Sequence, residues 1–279
     1  MSGRIATIAV LGLGEAGGAL ARDLRAAGAV VRGYDPALPG DAASEADAAG
    51  GADLVLSVNS SAAAVEALRA GLSGLSAGAI WADLNTASPG TKRKLAEIAD
   101  AHGVPFTDIA IMAPVPGRGL KVPMLASGVA AAPTAELLGS LGASVEVMAG
   151  EAGLAAERKL LRSVFFKGMS AAVVEALTAA RAAGCEDWLR EMIVAELAGA
   201  NESTVDRLVT GTLRHRVRRT AEMAAASEML GELGVPADVA TASRDQLARL
   251  SAAADHRLSP DVSPTAARTR PGCPDWARN

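Results

Sequence analysis

The sequence predicts an α/β protein in which a mostly parallel sheet covered by helices is followed by an all-helical region. Up to about residue 150, short apolar runs alternate with stretches of helical periodicity, which is typical of a parallel sheet with helices on both faces. After residue 150, helical periodicity continues without another convincing strand. Half of the residues are hydrophobic but only 3% are aromatic, which indicates a core of Ala, Val, Leu and Ile.

The elements of the first half follow from apolar runs that are bounded by turn residues. The predicted strands are 5–12, 29–35, 53–59, 79–85, 105–112, 122–128 and 144–150. The predicted helices between them are 15–28, 62–75 and 88–103, with a weak helix or loop at 41–51. Ser88 followed by Pro89 is typical of an N-cap with proline at the first helical position.

The second half begins with helical periodicity over residues 151–184. At about 1.5 Å per residue, such a helix is roughly 50 Å long, so we expect it to join two domains or to form a subunit interface. Helices continue to about residue 254, with breaks predicted near Gly211 and at 234–236. The predicted domains are therefore 1–150 and 151–254, followed by a flexible tail, 255–279, rich in Pro, Ser, Thr and Arg.

Composition excludes several classes of function. A net charge of -4 argues against nucleic-acid binding, which needs a concentrated basic surface. Cys185 and Cys273 are far apart and lack metal-ligand spacing, which predicts neither a metal site nor a disulfide framework and fits a reducing compartment. The first residues do not form a convincing signal peptide, and no run is long enough for a membrane helix. We therefore expect a cytoplasmic protein without a membrane partner.

The first strand runs into a glycine-rich turn, Gly12-Leu13-Gly14-Glu15-Ala16-Gly17, and then into a helix. This G-x-G-x-x-G spacing, in the strand–turn–helix context, predicts a Rossmann-type doubly wound sheet that binds a dinucleotide. The alternative is a plain glycine-rich corner in a chain with 29 glycines. The predicted cofactor-binding residues are Gly12, Leu13, Gly14, Glu15, Ala16, Gly17, Asp35, Asn59 and Ser60.

Two strand ends refine the cofactor prediction. Asp35 ends the second strand, where a carboxylate can bind the adenosine ribose hydroxyls and repel a 2′-phosphate. This favours NAD over NADP, although Arg32 lies close enough in sequence to leave NADP open. Asn59 and Ser60 follow the third strand and are expected to face the same crevice, unless they belong to an ordinary polar loop.

Further candidate residues lie beyond the cofactor turn. Asn85 and Thr86 follow the fourth strand and offer donors for a carboxylate or hydroxyl group. Arg118 lies between two glycines, where exposed amides and a guanidinium form a predicted anion site; the alternative is a surface hairpin with a solvated arginine. Lys159, Ser163 and Lys167 are spaced to share one helix face. Burial and neighbouring cations would lower the pKa of Lys159 and suit it to proton transfer, whereas the alternative is a solvated face.

In this order, these motifs resemble those of the β-hydroxyacid dehydrogenase superfamily, which includes 6-phosphogluconate and 3-hydroxyisobutyrate dehydrogenases. The resemblance extends to about residue 254 and is closest to a poorly characterised branch with its own helical C-terminal domain. The motifs here are the glycine turn, Asp83-Leu84-Asn85-Thr86, the loop APVPGRG (113–119), and the stretch from Gly153 through Lys159 to Ser163. Pro116 stands where the family has Ser, and Ser163 stands where it has Asn, so the family's substrates do not transfer directly.

The resemblance implies an NAD(P)-dependent oxidoreductase that transfers hydride between nicotinamide and a small anionic hydroxyacid or ketoacid. It implies that Lys159 is the general acid/base and that Ser163 orients it. The expected substrate-binding residues are Asn85, Thr86, Arg118 and Lys167. Imine reduction on the same fold and a non-catalytic dinucleotide sensor remain as alternatives.

The helical region of the chain predicts a homodimer. The long predicted helix and the helical domain suggest that two copies of the chain bury apolar helix faces against each other. Three basic residues, His215, Arg218 and Arg219, resemble a charged cluster of this branch, together with Glu222. They are expected either to reach a partner subunit's active site or to form a solvated salt-bridge cluster.

Overall fold

The computed structural model describes residues 5–257 of the chain, and side chains up to residue 253. Contacts between Cα atoms divide the chain into two compact units, Met1–Phe166 and Lys167–Asn279. The division falls inside a long helix, and each unit is described by itself. The predicted domain boundaries stay a prediction. Residues 258–279 of the predicted tail, including Cys273, lie outside the described residues.

The first unit is built on a seven-stranded sheet. Its strands are β1 (Thr7–Leu11), β2 (Val30–Tyr34), β3 (Leu54–Ser57), β4 (Ile80–Asp83), β5 (Phe106–Ile111), β6 (Pro123–Ser127) and β7 (Ser144–Val147). Their order is β2-β1-β3-β4-β5-β6-β7, and only the β5–β6 pair is antiparallel. The predicted Rossmann-type sheet is thus confirmed. The strand order reverses at β1, which opens a crevice at the carboxyl ends of β1 and β3.

Helices cover both faces of this sheet. They are α1 (Glu15–Ala26), α2 (Glu45–Ala49), α3 (Ala64–Leu72), α4 (Pro89–Asp100) and α5 (Ala131–Ser140). Alternate residues of β1 enter different cores: Ile8 and Val10 pack with Leu20 of α1, whereas Leu11 belongs to the cluster around Trp81. The helix start at Ser88 is as predicted, because its hydroxyl accepts a hydrogen bond from the Thr91 amide at 3.1 Å.

Long helices make up the rest of the described chain. They are α6 (Leu154–Ala182), α7 (Glu186–Ala198), α8 (Glu202–Glu232) and α9 (Asp238–Arg257). The predicted helical C-terminal region is confirmed, and the break predicted near Gly211 corresponds to a kink inside α8 at His215, four residues later. The chain also breaks before α8, where Asn201 forms a capping box with Thr204. A glycine inside a helix costs only about 1 kcal/mol relative to alanine, so Gly211 alone does not end α8.

Two further features of the long helices are a capping contact and exposed apolar side chains. The carboxylate of Glu175 on α6 accepts hydrogen bonds from the first amides of α9, at 2.7 and 2.8 Å. Many large apolar side chains of α6, α7 and α8 are exposed, among them Val164 (75%), Trp188 (64%) and Val217 (71%). Within residues 5–257, no helix is both long and apolar enough to cross a membrane.

Candidate cofactor and active site

Three glycines shape the turn between β1 and α1. Gly12 has a φ of +96°, and a Cβ there would lie 2.6 Å from the carbonyl oxygen of Val58. A Cβ at Gly17 would lie 1.9 Å from the Gly12 carbonyl oxygen. At Gly14, by contrast, no atom lies within 4 Å of the added Cβ. Packing therefore requires Gly12 and Gly17, whereas Gly14 leaves open space at the N-terminus of α1, where a pyrophosphate fits.

Asp35 follows β2 and is held by backbone amides. One carboxylate oxygen accepts from the Leu13 amide at 2.8 Å, and the other accepts from the Ala37 and Leu38 amides at 2.9 and 3.1 Å. Burial raises the pKa of Asp35, but these hydrogen bonds outweigh it and hold the pKa below its ordinary value. The carboxylate is therefore ionised at neutral pH. It ties the end of β2 to the glycine turn.

Arg32, the nearby cation that left NADP open, is occupied elsewhere. Its guanidinium donates to the Asp47 carboxylate at 2.6 Å and to the Gly50 carbonyl at 2.9 Å. The segment directly after Asp35, residues 36–41, contains no lysine or arginine. The Asp35 carboxylate at the end of β2 is thus followed by no lysine or arginine in residues 36–41, and Arg32 before it is already paired.

Asn85 joins the ends of β3 and β4. Its side-chain nitrogen lies 2.7 Å from an Asp83 carboxylate oxygen, 2.8 Å from the Asn59 side-chain oxygen and 3.1 Å from the Ser57 hydroxyl. Because this NH₂ group has two hydrogens, its donors are fully used within the protein. The next residue, Thr86, is exposed.

Ser60, the second residue predicted at the end of β3, is also exposed. Its hydroxyl accepts a hydrogen bond from the Ala63 amide at 3.2 Å, and its own amide donates to the Asn59 side-chain oxygen at 2.8 Å. Asn59 therefore receives hydrogen bonds both from its neighbour and from Asn85. The structure thus brings Asn59, Ser60 and Asn85 together in one network, to which no hydrogen bond of Thr86 belongs.

A cluster of three charges lies buried next to this network. Lys92 of α4, Asp83 and Asp108 have no exposed surface. The Lys92 ammonium donates to the Asp83 carboxylate at 2.5 Å and to its carbonyl at 2.8 Å, and it lies 3.0 Å from an Asp108 carboxylate oxygen. We call these three residues the buried triad.

Asp108 also holds the start of α6. Its second oxygen accepts hydrogen bonds from the amides of Gly153 and Ala156, at 3.1 and 2.9 Å. The Ser127 hydroxyl of β6 accepts from the next free amide, that of Ala155, at 3.0 Å. Side chains of β5 and β6 therefore satisfy the amides that the first turn of a helix leaves without partners.

Lys159 lies one turn further along α6 and is half-buried. Its pKa is lowered, first by burial and next by the positive charge of Lys92, while the Asp108 carboxylate opposes the shift and Arg162 adds to it. The Ser163 hydroxyl donates to the Lys159 carbonyl at 3.0 Å, so it bonds to the backbone of that residue. A lysine whose pKa is lowered gives up its proton more readily than an ordinary lysine, which a general base requires.

The remaining predicted residues are exposed or paired within their own helix or loop. The side chain of Arg118 is exposed in the loop between β5 and β6, and its amide and that of Gly119 both donate to the Val115 carbonyl. Those two amides are therefore not free to bind an anion. Lys167 is exposed and belongs to the second unit. Arg218 pairs with Glu222 one turn away on α8.

Comparison with known proteins identifies the family. The model for the NAD-binding domain of 6-phosphogluconate dehydrogenase matches residues 7–149. The chain belongs to this family. Its first unit thus contains an NAD(P)-binding domain of the dehydrogenase type, as the resemblance implied. A second model, for a domain of unknown function (DUF1932), matches residues 180–250.

Two solved structures are similar to this chain over most of its length. A conserved hypothetical protein from Sinorhizobium meliloti 1021 is 31% identical, with 94% of this chain and 92% of that chain covered and a TM-score of 0.57. A conserved protein of unknown function, described as similar to 3-hydroxyacid dehydrogenases, is 27% identical over 88% and 98% of the chains, with a TM-score of 0.56.

Two further proteins are similar to this chain. The Streptomyces aurantiacus imine reductase shares the fold, with a TM-score of 0.73 at 19% identity, over 88% of this chain and 95% of that one. An uncharacterized 28.5 kDa protein of Methanothermus fervidus is 29% identical over 144 residues, and the match spans 52% of this chain and 55% of that relative.

Two members of the buried triad, Lys92 and Asp108, were not singled out from the sequence. Two signals were available. Lys92 is three and seven residues before Leu95 and Ala99, so it lies on the apolar face of its helix. Asp108 lies inside the apolar run of β5. Because each charged side chain lies on the buried side of its element, and the two charges are opposite, the pattern indicates that Lys92 and Asp108 lie near each other.

Proposed function

We propose that this protein is an NAD-dependent oxidoreductase that transfers hydride between nicotinamide and a small hydroxyacid or ketoacid. Lys159 serves as its general acid/base. The observation that carries the proposal is the half-buried Lys159 amine, whose pKa is lowered by burial and by Lys92. It lies in the same unit as a glycine turn with open space at Gly14.

The chain's own groups then have separate tasks. The glycine turn and the N-terminus of α1 bind the pyrophosphate through backbone amides, and Asp35 binds the adenosine ribose. When bound, the nicotinamide accepts or donates the hydride. In oxidation the neutral Lys159 amine takes the proton of the substrate hydroxyl, and in reduction its ammonium returns a proton to the carbonyl oxygen.

The proposed substrate is anionic because its predicted binding residues in the first unit include a cation. Arg118 is exposed and would pair with a carboxylate. The Thr86 hydroxyl would donate a further hydrogen bond to the same carboxylate. Asn85 contributes its side-chain oxygen, since its nitrogen is already used by Asp83 and Asn59.

NAD is the proposed cofactor rather than NADP. The ionised Asp35 carboxylate would repel a 2′-phosphate, and the segment that follows it offers no cation to offset this repulsion. Arg32 is already paired with Asp47. We therefore expect NAD+ to bind more tightly than NADP+ in a direct titration, and a tighter affinity for NADP+ would contradict this part of the proposal.

The test of the proposed reaction compares two lysines. The purified chain is incubated with NAD+ or NADH and a panel of hydroxyacids, ketoacids and cyclic imines, and nicotinamide absorbance is followed. Lys159→Ala should lower kcat by about 10²–10⁴-fold, because general acid–base help of that size is lost. The matched control, Lys94→Ala, changes an exposed lysine of α4 and should turn over normally.

The pH profile gives the sign of the Lys159 role. Oxidation requires the neutral amine, so its rate should rise with pH through a midpoint below the ordinary pKa of lysine. Reduction requires the ammonium form, so the rate of reduction should fall as the pH rises through the same range. Normal turnover by Lys159→Ala would refute the assignment.

The same panel separates the alternatives. Turnover of cyclic imines but not of ketoacids would favour reduction of C=N bonds, the reaction named for the imine reductases that share this fold. Binding of NAD+ without turnover of any compound would favour a dinucleotide-responsive sensor. Turnover of hydroxyacids and ketoacids supports the proposed function.

A further inference from the structure

Lys92 is a fully buried lysine on a helix that has no part in the proposed reaction. It is bonded to Asp83 and lies 3.0 Å from an Asp108 oxygen. Removing three charges from water costs free energy that their mutual attraction often only balances, so apolar residues of similar volume would stabilise the fold as well. The buried triad therefore points to a role beyond stability.

The charges of the triad do not cancel. Two carboxylates and one ammonium leave a net charge of -1, and the remaining oxygens of Asp83 and Asp108 accept hydrogen bonds from neutral groups. A protonated Lys159 would bring the sum for the four groups to zero. Lys92 nevertheless acts more strongly on Lys159 than Asp108 does, so the amine holds its proton less readily than it would beside the two carboxylates alone.

Asp108 connects the triad to Lys159 physically. One of its oxygens faces Lys92, and the other accepts the amides of Gly153 and Ala156. Lys159 is three residues after Ala156 and therefore lies above it on the same side of α6. Ala155 and Ala156 are buried, so this turn of the helix is fixed.

We propose that Lys92 is a positioning residue that sets the protonation equilibrium of Lys159 through Asp108. The charged groups that act on Lys159 are Lys92 of α4, Asp108 of β5 and Arg162 of α6 itself. The two lysines repel each other, so Lys92 keeps a larger fraction of Lys159 in the neutral, proton-accepting form. The inference rests on the proposed function in one respect only, namely that the neutral Lys159 amine serves as the general base.

The proposal predicts shifts of opposite sign. Lys92→Met leaves two buried carboxylates without their cation, so Lys159 should hold its proton to higher pH. Asp108→Asn removes a negative charge but keeps an oxygen for the amides of Gly153 and Ala156, so Lys159 should lose its proton at lower pH. Each shift should be about one pH unit or more, as is usual for a charge at close range.

The experiment measures how readily Lys159 is acetylated by trace acetic anhydride as a function of pH, in the full chain, with mass spectrometry to identify the labelled lysine. The midpoint for Lys159 should rise in Lys92→Met and fall in Asp108→Asn. Lys94→Met, an exposed lysine two residues along α4, is the matched control and should leave the midpoint unchanged. Thermal melting establishes which variants fold.

Each outcome decides the proposal. An unchanged midpoint in either folded variant, or a shift of both in the same direction, would overturn it. If only one variant folds, the sign of its shift decides. If neither folds while the control does, the triad is purely structural and the proposal is refuted. Labelling needs no substrate, so a wild-type chain without turnover would refute the proposed function and leave this inference standing.

Discussion

Gly14 and Gly17 are three residues apart in the same turn, but their surroundings differ. Gly17→Ala places a Cβ 1.9 Å from the Gly12 carbonyl oxygen, so the turn must shift, at a cost of about 1–3 kcal/mol. Gly14→Ala meets no atom within 4 Å and should leave the free energy of unfolding within about 0.5 kcal/mol of wild type.

The same pair of variants tests the cofactor turn. Gly14→Ala fills the space at the N-terminus of α1, so NAD+ binding should weaken by about tenfold or more, equivalent to ~1.4 kcal/mol. Urea unfolding and NAD+ titration measure the two quantities. Wild-type affinity in a folded Gly14→Ala would show that the pyrophosphate does not approach this glycine.

At the residue scale, residues that belong to a spaced motif could be predicted from the sequence, whereas contacts between residues far apart in the chain could not. The glycine turn and Asp35 were predicted from spacing, whereas the role of Lys159 was implied by the family resemblance and stays a prediction. The bond between Lys92 and Asp83 could not, because lysines are rarely buried and a helix pattern alone does not name the partner of a buried charge. The use of the Asn85 nitrogen inside the protein likewise depends on two strand ends that meet only in the fold.

At the element scale, α4 offers a direct test of capping. Ser88→Ala removes the hydroxyl that accepts the Thr91 amide and should lower the free energy of unfolding by about 1 kcal/mol. Ser88→Asp keeps an acceptor and should lose much less. Ser73→Ala, at the exposed C-terminal end of α3, is the control and should change it by less than about 0.5 kcal/mol in urea unfolding. Equal losses in Ser88→Ala and Ser73→Ala would contradict the capping role.

Strands and helices differed in how well their limits could be predicted. The apolar runs of β1 and β3 are short and bounded by turn residues, so the strands were predicted closely. The interruption of α8 was predicted near Gly211, whereas the helix bends four residues later, at His215, whose φ and ψ are -110° and 16°. No glycine or proline occupies that position, so propensity gives no signal for the bend.

At the scale of the whole molecule, we propose a homodimer that covers the exposed apolar side chains of α6, α7 and α8. Monomers rarely leave apolar patches of more than a few hundred Å² in water. Sedimentation should therefore give twice the mass of the chain. Val194→Glu and Val217→Glu, at residues that are 61% and 71% exposed, should shift the equilibrium towards the monomer.

Val129 provides the control for this experiment. It is 89% exposed but lies in the turn before α5, outside the three helices, so Val129→Glu should remain dimeric. A wild-type chain that sediments as a monomer at micromolar concentration would refute the dimer. So would dissociation by Val129→Glu alone.

The way in which α6 begins has a consequence for engineering by fragment exchange. The amides of Gly153, Ala155 and Ala156 are bound by side chains of β5 and β6. A fragment that ended after β7 would strip these partners from Asp108 and Ser127 inside the core, at about 1–3 kcal/mol for each group left unsatisfied. A graftable nucleotide-binding module must therefore carry the first turns of the helix that follows it, and chimaeras are best joined beyond Lys159.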